Sequence, residues 1–244
     1  MCAHRVTRAV ILAAGRGTRL APLTDRVPKP LVPVNGTPII TTILDALNAA
    51  GISSITIVRG YCGAAFDALH AAYPHLAYID NPDWETANNI SSIALAGREG
   101  LLEDSYVIEG DLYLANPAII TPIQTSTNYI AFPVEATDDW CFDTDAAGKI
   151  THIDTASDHP CHQMLGLSYW TAEDGRRLAA CANELYREER YRQLYWDEIA
   201  LKYYLPDFSV HIRECTREDV WEIDTVGELR ALEERIRGGI RSTI

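Results

Sequence analysis

The stretch from residue 9 to residue 34 constrains the fold of this chain more than any other part of the sequence. It opens with an uninterrupted apolar run, residues 9–14, which is typical of a strand buried on both faces of a parallel sheet. Gly15 and Gly17 follow directly. Glycines let the backbone approach a ligand closely and offer its N–H groups to phosphate oxygens. Three cations complete the segment: Arg16, Arg19 and Lys29. The pattern predicts a loop that holds a polyphosphate.

Two common phosphate-binding loops do not account for this segment. Residues 15–20, GRGTRL, lack the third glycine of the dinucleotide-binding pattern G-x-G-x-x-G, and the chain contains no G-x-x-x-x-G-K-[ST]. The segment matches G-x-G-[TS]-R-L-x-P-L-T followed by P-K, a pattern that resembles the signature of the sugar-phosphate and choline-phosphate nucleotidyltransferases. The alternative is an ordinary strand and turn with solvated arginines.

Composition argues against several classes of function. The 244 residues carry a formal net charge of −13, which disfavours nucleic acid or an anionic membrane surface as a partner. No apolar run is long enough to span a bilayer, and no signal-peptide segment precedes residue 9. The six cysteines form neither a C-x-x-C pair nor a zinc-binding pattern. We therefore expect a cytoplasmic protein that binds neither nucleic acid nor membrane.

The order of elements predicts an α/β fold. Strands and helices alternate in the first half, and the second half is richer in strands. The expected strands are 9–14, 55–58, 76–79, 107–108, 129–134, 140–143, 150–153, 165–169 and 220–223. The expected helices are 38–50, a segment around Phe66 that ends at Pro74, one from Asn88 or Asn89 onward, 171–190, 194–203 and 226–237.

These elements predict a doubly wound, mostly parallel (Rossmann-like) mixed sheet of nucleotidyltransferase type with a strand-rich acceptor-binding elaboration. No repeat or linker divides the chain. We expect one domain, residues 1–244, with a nucleotide-binding half of about 7–116 and an acceptor-binding half of about 117–244. The pattern does not specify an oligomeric state.

Polar residues follow one of the predicted strands and open one of the predicted helices. Asp111 comes directly after a buried strand, where a doubly wound fold places its ligand site, although an aspartate there also forms turns. Asn88 and Asn89 precede a helical pattern, so they are candidates both for capping that helix and for contacting a ligand at its N-terminus. The residues alone leave both pairs of alternatives open.

Two aromatic clusters lie in the second half of the chain. They are Asp138-Asp139-Trp140 and Tyr195-Trp196-Asp197. Aromatic faces attract a quaternary ammonium group, and neighbouring carboxylates add complementary charge. The alternative is that these aromatic residues belong to the core.

Nearly the whole chain resembles the bacterial choline-phosphate cytidylyltransferases. The segments that carry the resemblance are ILAAGRGTRLAPLT, PKPLVPVNGTP, NNISS, YVIEGDLYL, DDW, GLSYW, LYWDEI and WEIDT. The resemblance implies transfer of CMP from CTP to a small amino-alcohol phosphate or aminoalkylphosphonate, such as phosphocholine or 2-aminoethylphosphonate, with release of pyrophosphate. It also implies Mg²⁺ as cofactor.

The same resemblance implies a role for individual residues. The implied catalytic residues are Lys29, Arg19, Asp111 and Asp224, of which Asp111 and Asp224 bind the metal. Asp224 is otherwise a residue at the start of a helix. The implied nucleotide-binding residues are Leu12, Ala13, Ala14, Gly15, Arg16, Gly17, Thr18, Asn88, Asn89 and Ser92. The implied acceptor-binding residues are Asp138, Asp139, Trp140, Tyr195, Trp196 and Asp197.

The chain departs from the family pattern at two places. Glu109 stands where an aspartate is common, and His159 and His162 stand where basic residues often precede the G-x-S-[YF]-W strand. The histidines leave open which groups contact the acceptor phosphate. Two other functions compete: a hexose-1-phosphate nucleotidyltransferase, which would favour hydrogen-bonding side chains over an aromatic and acidic site, and a nucleotide- or choline-sensing module without catalysis.

Overall fold

The computed structural model describes residues 3–241, with side chains described as far as residue 238. Within that range the chain forms four α-helices, α1 (Ile39–Ala49), α2 (Ile90–Arg98), α3 (Ala172–Tyr186) and α4 (Val226–Arg241). Its strands in chain order are β1 (His4–Arg5), β2 (Arg8–Ala13), β3 (Pro33–Val34), β4 (Thr37–Pro38), β5 (Ser54–Arg59), β6 (Ala77–Asp80), β7 (Ser105–Glu109), β8 (Leu112–Leu114), β9 (Ile123–Gln124), β10 (Asn128–Val134), β11 (Cys141–Thr144), β12 (Ile150–Asp154), β13 (Cys161–Trp170), β14 (His211–Glu214) and β15 (Val220–Glu222).

A nine-stranded mixed sheet forms the centre of the molecule. Strands β7, β2, β5 and β6 are adjacent and parallel, and β13 joins β7 in the antiparallel direction. Beyond β13 the sheet continues through β10 to β14 and, beside the start of β13, through the β11–β12 hairpin. The doubly wound, mostly parallel mixed sheet predicted from sequence is confirmed.

The position of β2 between β7 and β5, inside the sheet, explains why residues 9–13 are an unbroken apolar run. Alternate side chains of a strand point to opposite faces of a sheet. Ala9, Ile11 and Ala13 pack into a cluster with α1, whereas Val10 and Leu12 pack into a second cluster with α2 and α3. Both faces of the sheet are therefore covered by helices, and every position of the strand from Ala9 to Ala13 is apolar.

Helix boundaries follow local signals for the most part. Helix α1 ends before Gly51, whose φ of 74° is left-handed and favours glycine. Thr171 caps α3 by accepting a hydrogen bond from the backbone N–H of Asp174. The helix expected up to residue 190 ends at Tyr186, and the segment Gly63–Ala71 is 3₁₀-helical rather than α-helical.

One expectation about the second half is wrong, and one strand of this half is missing from the sequence-based prediction. The helix predicted over residues 194–203 begins only at residue 197 and is π-helical over Ile199–Tyr203. The backbone N–H groups of Tyr195 and Trp196 donate to the side chains of Glu198 and Asn89, so they are held outside the helix. Strand β14, which pairs in parallel with β10, is absent from the sequence-based assignment.

No helix in the described part of the chain is both long enough and apolar enough to cross a membrane.

Candidate active site

The carboxyl ends of the parallel strands meet at one edge of the sheet and form a cleft of about 540 Å³. The glycine loop follows β2, Asn81 follows β6 and Asp111 follows β7. Most of the sequence-predicted site residues line this cleft: Leu12, Ala13, Ala14, Gly15, Gly17, Thr18, Arg19, Lys29, Asn88, Asn89, Ser92, Asp111, Asp139, Trp140, Tyr195, Asp197 and Asp224.

Gly17 fixes the shape of the glycine loop. Its φ of 65° is left-handed, and a Cβ placed there would lie 2.7 Å from the Cβ of Lys29. The Gly17 carbonyl accepts hydrogen bonds from the Thr24 hydroxyl at 2.8 Å and from the Leu20 N–H at 3.1 Å. The loop can therefore pack against Lys29 only when residue 17 has no side chain.

A Gly17→Ala substitution is expected to lower stability by about 1–3 kcal/mol and to impair turnover, because it adds left-handed strain and pushes Lys29 aside. Gly15→Ala is the matched control for stability, since a Cβ there meets nothing within 4 Å and no left-handed φ is required. Thermal unfolding of both variants measures the difference. Equal melting temperatures for the two would contradict this account of Gly17.

Lys29 is a buried cation held between two aspartates. It is 7% exposed, and its Nζ donates to Asp111 Oδ2 at 2.6 Å and to Asp224 Oδ1 at 2.5 Å. Burial is the largest single influence and opposes the charge, but the two carboxylates outweigh it together and raise the pKa of Lys29 to about 12. Lys29 is therefore permanently charged. Arg19 adds a second contact to Asp224, with 2.8 Å from its Nη1 to Oδ2.

Asp224 does not serve as the cap of the helix that follows it. Glu228 Oε2 accepts hydrogen bonds from the backbone N–H groups of Asp224 and Thr225, and the Thr225 hydroxyl accepts one from the N–H of Glu228. This reciprocal pair is a capping box at the start of α4. Since Thr225 and Glu228 perform the capping, the Asp224 carboxylate is directed to Lys29 and Arg19 instead.

Three carboxylates of the cleft lie close enough to share one metal ion. Asp111, Glu222 and Asp224 each offer an oxygen atom, and these atoms lie within 4.8 Å of one another. Asp111 Oδ1 is buried and has no hydrogen-bond partner in the described chain. Hard oxygen ligands suit Mg²⁺ or a similar divalent cation. The residues present therefore fit a divalent metal ion.

Sequence reasoning missed Glu222. Its burial and the charges of Asp111 and Asp224 raise the pKa of Glu222 to about 8. Glu222 stands two residues before Asp224, at the end of β15. The two acidic residues of WEIDT lie at the end of this strand and directly after it, so this segment could have indicated both carboxylates.

Asn88 and Asn89 line the cleft, and neither side chain caps α2. No side chain caps this helix among the described residues, so the capping alternative is wrong. Asn89 accepts a hydrogen bond from the Trp196 N–H at 2.8 Å and donates to Glu109 Oε1 at 3.3 Å. Asn88 accepts from the Asn89 N–H at 2.8 Å. Asn89 therefore connects the helix to the acceptor side.

The acceptor end of the cleft combines two aromatic rings with three carboxylates. Trp140 and Tyr195 meet edge to face with 5.5 Å between ring centroids. Asp139 lies in the loop before β11, while Glu109 and Asp197 are set deeper. Burial raises the pKa of Asp197 to about 7, although the Tyr129 hydroxyl, which donates to this carboxylate, acts in the opposite direction. Burial, reinforced by Asp111, likewise raises the pKa of Glu109.

Three of the predicted site residues lie outside the cleft lining. Trp196 is 0% exposed and stacks on Tyr129 in the core, with 5.8 Å between ring centroids, so its assignment as an acceptor contact is corrected. Asp138 is exposed beside the cleft, and Arg16 lies over the ring of Tyr61 at 5.4 Å. A tryptophan beside an aspartate has the same sequence pattern in a core as in a ligand site.

The histidines that replace basic residues do not face the cleft. His159 contacts Asp143 at 3.0 Å, and His162 contacts Glu214 at 3.4 Å. Among the residues that line the cleft, six are carboxylates and two, Arg19 and Lys29, are cations. A site with this imbalance is suited to bind divalent cations and substrates that carry a positive group.

The glycine loop, the buried lysine and the carboxylate cluster at the edge of a doubly wound sheet define a nucleotidyltransferase. The family model described as the MobA-like NTP transferase domain matches residues 9–192. The chain belongs to this family.

Relatives at 32% identity or more over almost the full length of the chain are cytidylyltransferases. A 2-aminoethylphosphonate cytidylyltransferase from Lancefieldella rimae is 37% identical over 230 residues, which cover 93% of this chain and 92% of the relative. A choline-phosphate cytidylyltransferase from Streptococcus pneumoniae is 32% identical, over 94% of this chain and 98% of the relative. The solved structure of a CTP:phosphocholine cytidylyltransferase from Streptococcus pneumoniae superposes with a TM-score of 0.87 at 32% identity, covering 95% of this chain and 99% of that one. The resemblance found in the sequence is confirmed.

Proposed function

We propose that the protein transfers CMP from CTP to a small aminoalkylphosphonate or amino-alcohol phosphate and releases pyrophosphate. The observation that carries this proposal is a cleft with two chemically different ends: the glycine loop, Lys29 and three clustered carboxylates at one end, and two aromatic rings with further carboxylates at the other. The cytidylyltransferase relatives support the same reaction.

The proposed reaction needs no general base, because the attacking phosphonate or phosphate oxygen is already anionic. The cleft residues position the two substrates and neutralise charge. The backbone of residues 12–18, which includes Arg16, would bind the nucleotide together with Asn88, Asn89 and Ser92. Lys29 and Arg19 would hold the negative charge of the phosphates. Asp111 and Asp224, joined by Glu222, would bind Mg²⁺, which when present supplies charge neutralisation at the reacting phosphate.

We propose a division of labour along the chain, with residues of about 7–116 binding the nucleotide and residues of about 117–244 binding the acceptor. Glu222 and Asp224 are the exceptions, since both belong to the carboxylate cluster at the nucleotide end, where Asp224 also contacts Lys29 and Arg19. This arrangement makes the last helix and the strand before it part of the catalytic centre.

The acceptor end favours a primary ammonium group over a quaternary one. A quaternary ammonium has no hydrogen to donate and prefers aromatic faces on several sides. With Trp196 in the core, two rings remain, those of Trp140 and Tyr195, beside the carboxylates of Glu109, Asp139 and Asp197. Carboxylates can accept the hydrogen bonds of a primary ammonium. We therefore propose 2-aminoethylphosphonate, rather than phosphocholine, as the better acceptor.

The test is pyrophosphate release from CTP and Mg²⁺ with three acceptors. We expect kcat/KM with 2-aminoethylphosphonate to exceed that with phosphocholine by about tenfold or more, and glucose 1-phosphate to be inactive. Preference for phosphocholine would overturn the choice of acceptor. Activity with glucose 1-phosphate alone would overturn the function, and binding of CTP without any pyrophosphate release would favour a sensing module.

Asp197 gives this test a pH signature. Its raised pKa of about 7 means that its carboxylate becomes charged only as the pH rises through 7, while a primary ammonium stays protonated to about pH 10. We expect kcat/KM for the acceptor to rise as the pH rises through 7, where the Asp197 carboxylate becomes charged and the ammonium group is still protonated. We expect this rise to be weaker in Asp197→Asn. The variant keeps the Tyr129 hydrogen bond, because the amide oxygen can accept it. An identical pH profile in the variant would remove Asp197 from the acceptor site.

A further inference from the structure

Glu109 lies between the two ends of the cleft. It is the last residue of β7, and Asp111 of the carboxylate cluster stands two residues after it. Burial raises the pKa of the Glu109 carboxyl group, and the nearby charges of Asp111, Asp197 and Glu222 raise it further. The side chain lines the cleft and is still partly exposed to it. Glu109 is thus a neighbour both of the carboxylate cluster and of the acceptor end.

The Glu109 side chain is held in place from two sides. Gly166 stands opposite it on β13, and a Cβ there would lie 2.6 Å from both Cγ and Oε2 of Glu109, so the side chain lies flat on the backbone of β13. Asn89 Nδ2 donates to Oε1 at 3.3 Å. The orientation of this amide is fixed, because its oxygen accepts from the backbone N–H of Trp196, which can only donate. Glu109 therefore cannot draw back from the cleft.

The backbone between Glu109 and Asp111 is equally fixed. The N–H of Gly110 donates to the Leu12 carbonyl at 2.9 Å, and a Cβ on Gly110 would lie 3.0 Å from the same oxygen. The segment is thus packed closely against the end of β2. Two residues of even fully extended chain span no more than about 7 Å. The distance from Glu109 to the carboxylate cluster is therefore short and set by the fold.

Glu109 and Asp197 lack a positively charged partner. No ion pair among the described residues involves either carboxylate, and their hydrogen bonds come from the neutral side chains of Asn89 and Tyr129. Carboxylates that share a largely buried space are stabilised by a cation that arrives with a ligand. The ammonium group of the proposed acceptor is such a cation.

We infer that Glu109 sets the length of the acceptor and selects an aminoalkylphosphonate with two carbons between phosphorus and nitrogen. The attacking oxygen has to reach the carboxylate cluster while the ammonium group meets Glu109. In 2-aminoethylphosphonate four bonds separate these two atoms. One further bond would press the ammonium group against a carboxylate that cannot draw back, or would displace the attacking oxygen. The inference rests on the proposed function in taking an aminoalkylphosphonate as the acceptor.

The test compares acceptors of different length by pyrophosphate release with CTP and Mg²⁺. Two acceptors have one more bond than 2-aminoethylphosphonate between oxygen and nitrogen: 3-aminopropylphosphonate, which adds a methylene group, and phosphoethanolamine, which adds an ester oxygen. We expect kcat/KM to be lower by about tenfold or more for both. Because these two differ in chemistry but not in the number of bonds, a similar loss identifies length as the cause. Equal kcat/KM for 2-aminoethylphosphonate and 3-aminopropylphosphonate would overturn the inference.

Three variants assign this effect to Glu109. Glu109→Asp shortens the side chain by one methylene group, so it should lower the preference for 2-aminoethylphosphonate over 3-aminopropylphosphonate by about tenfold or more, or reverse it. Glu109→Gln keeps the length and removes the charge, so it should weaken both acceptors and leave their ratio unchanged. Glu214→Asp is the matched control outside the cleft, since this side chain is 63% exposed and neither value should change.

An unaltered ratio in folded Glu109→Asp protein would contradict the role of Glu109. Should that variant be folded but inactive, calorimetric binding of the two acceptors in the presence of CTP and Mg²⁺ decides by the same ratio. Should it fail to fold, Gly166→Ala tests the opposite direction, because the added methyl group pushes Glu109 into the cleft and should increase the preference for the shorter acceptor. An unchanged preference there would also overturn the inference. Selective binding of the shorter acceptor without pyrophosphate release would leave the inference standing and sink the proposed function.

Discussion

Asp111→Asn is expected to lower turnover by about a thousandfold or more while leaving the fold intact. The substitution keeps the volume of the side chain but removes one of the three carboxylates of the cluster. Charge neutralisation at the reacting phosphate, through the metal ion, is the main contribution such a cluster makes. The fold should persist because Lys29 keeps its contact with Asp224. Pyrophosphate release at saturating CTP, measured over a range of Mg²⁺ concentrations, checks the prediction.

Asp145→Asn is the matched control for this substitution. Asp145 lies in the turn between β11 and β12, outside the cleft, and its Oδ1 accepts the N–H groups of Ala147 and Lys149, which an amide oxygen can also accept. Its turnover should stay within about twofold of the unaltered protein. An Asp111→Asn protein that retained more than a tenth of normal turnover would remove Asp111 from the metal site.

The parts of this molecule that sequence predicts well are those in which a local pattern has one physical solution. An unbroken apolar run ending in Gly15 and Gly17 requires a doubly covered strand followed by a tight loop, and β2 is that strand. Asp111 directly after a buried strand likewise falls at the ligand-binding edge. Local pattern and global fold agree at these positions, as expected for a sequence that specifies one structure.

The parts that sequence misplaces depend on contacts between distant residues. Trp196 lies in the core because it stacks on Tyr129, and its backbone N–H is bound by Asn89, 107 residues away in sequence. The same bond delays the start of the helix predicted over residues 194–203. Such a contact leaves no periodic signal in either segment. The sequence therefore predicts that Trp140 and Trp196 both contact the acceptor, and this prediction is wrong for Trp196, which is buried in the core.

The charges of the cleft explain why Lys29 is both structural and catalytic in this proposal. Asp111 and Asp224 lie against it, and Glu222 adds a third carboxylate beside them. Like charges so close repel strongly in a buried setting. Before substrate and metal arrive, Lys29 is the buried cation that offsets this repulsion, and Arg19 assists from the surface, where its side chain is 71% exposed.

Lys29→Met is therefore expected to abolish turnover and also to destabilise the protein in the absence of metal. Removing one partner of a buried ion pair costs about 3–5 kcal/mol, because the remaining charges stay buried and uncompensated. For a protein of this size we expect the melting temperature to fall by roughly 10 °C. Lys149→Met is the matched control, since no ion pair of Lys149 occurs in the described chain and its melting temperature should barely change.

Mg²⁺ distinguishes this explanation from simple loss of packing. A divalent cation bound by Asp111, Glu222 and Asp224 would replace the missing positive charge, and a ligand that binds only the folded state raises its stability. Added Mg²⁺ should consequently raise the melting temperature of Lys29→Met by more than it raises that of the unaltered protein, in which the lysine competes for the same oxygens. An equal or smaller rise in the variant would mean that Lys29 stabilises the fold through its contacts alone. No rise in either protein would mean that the three carboxylates do not form a metal site.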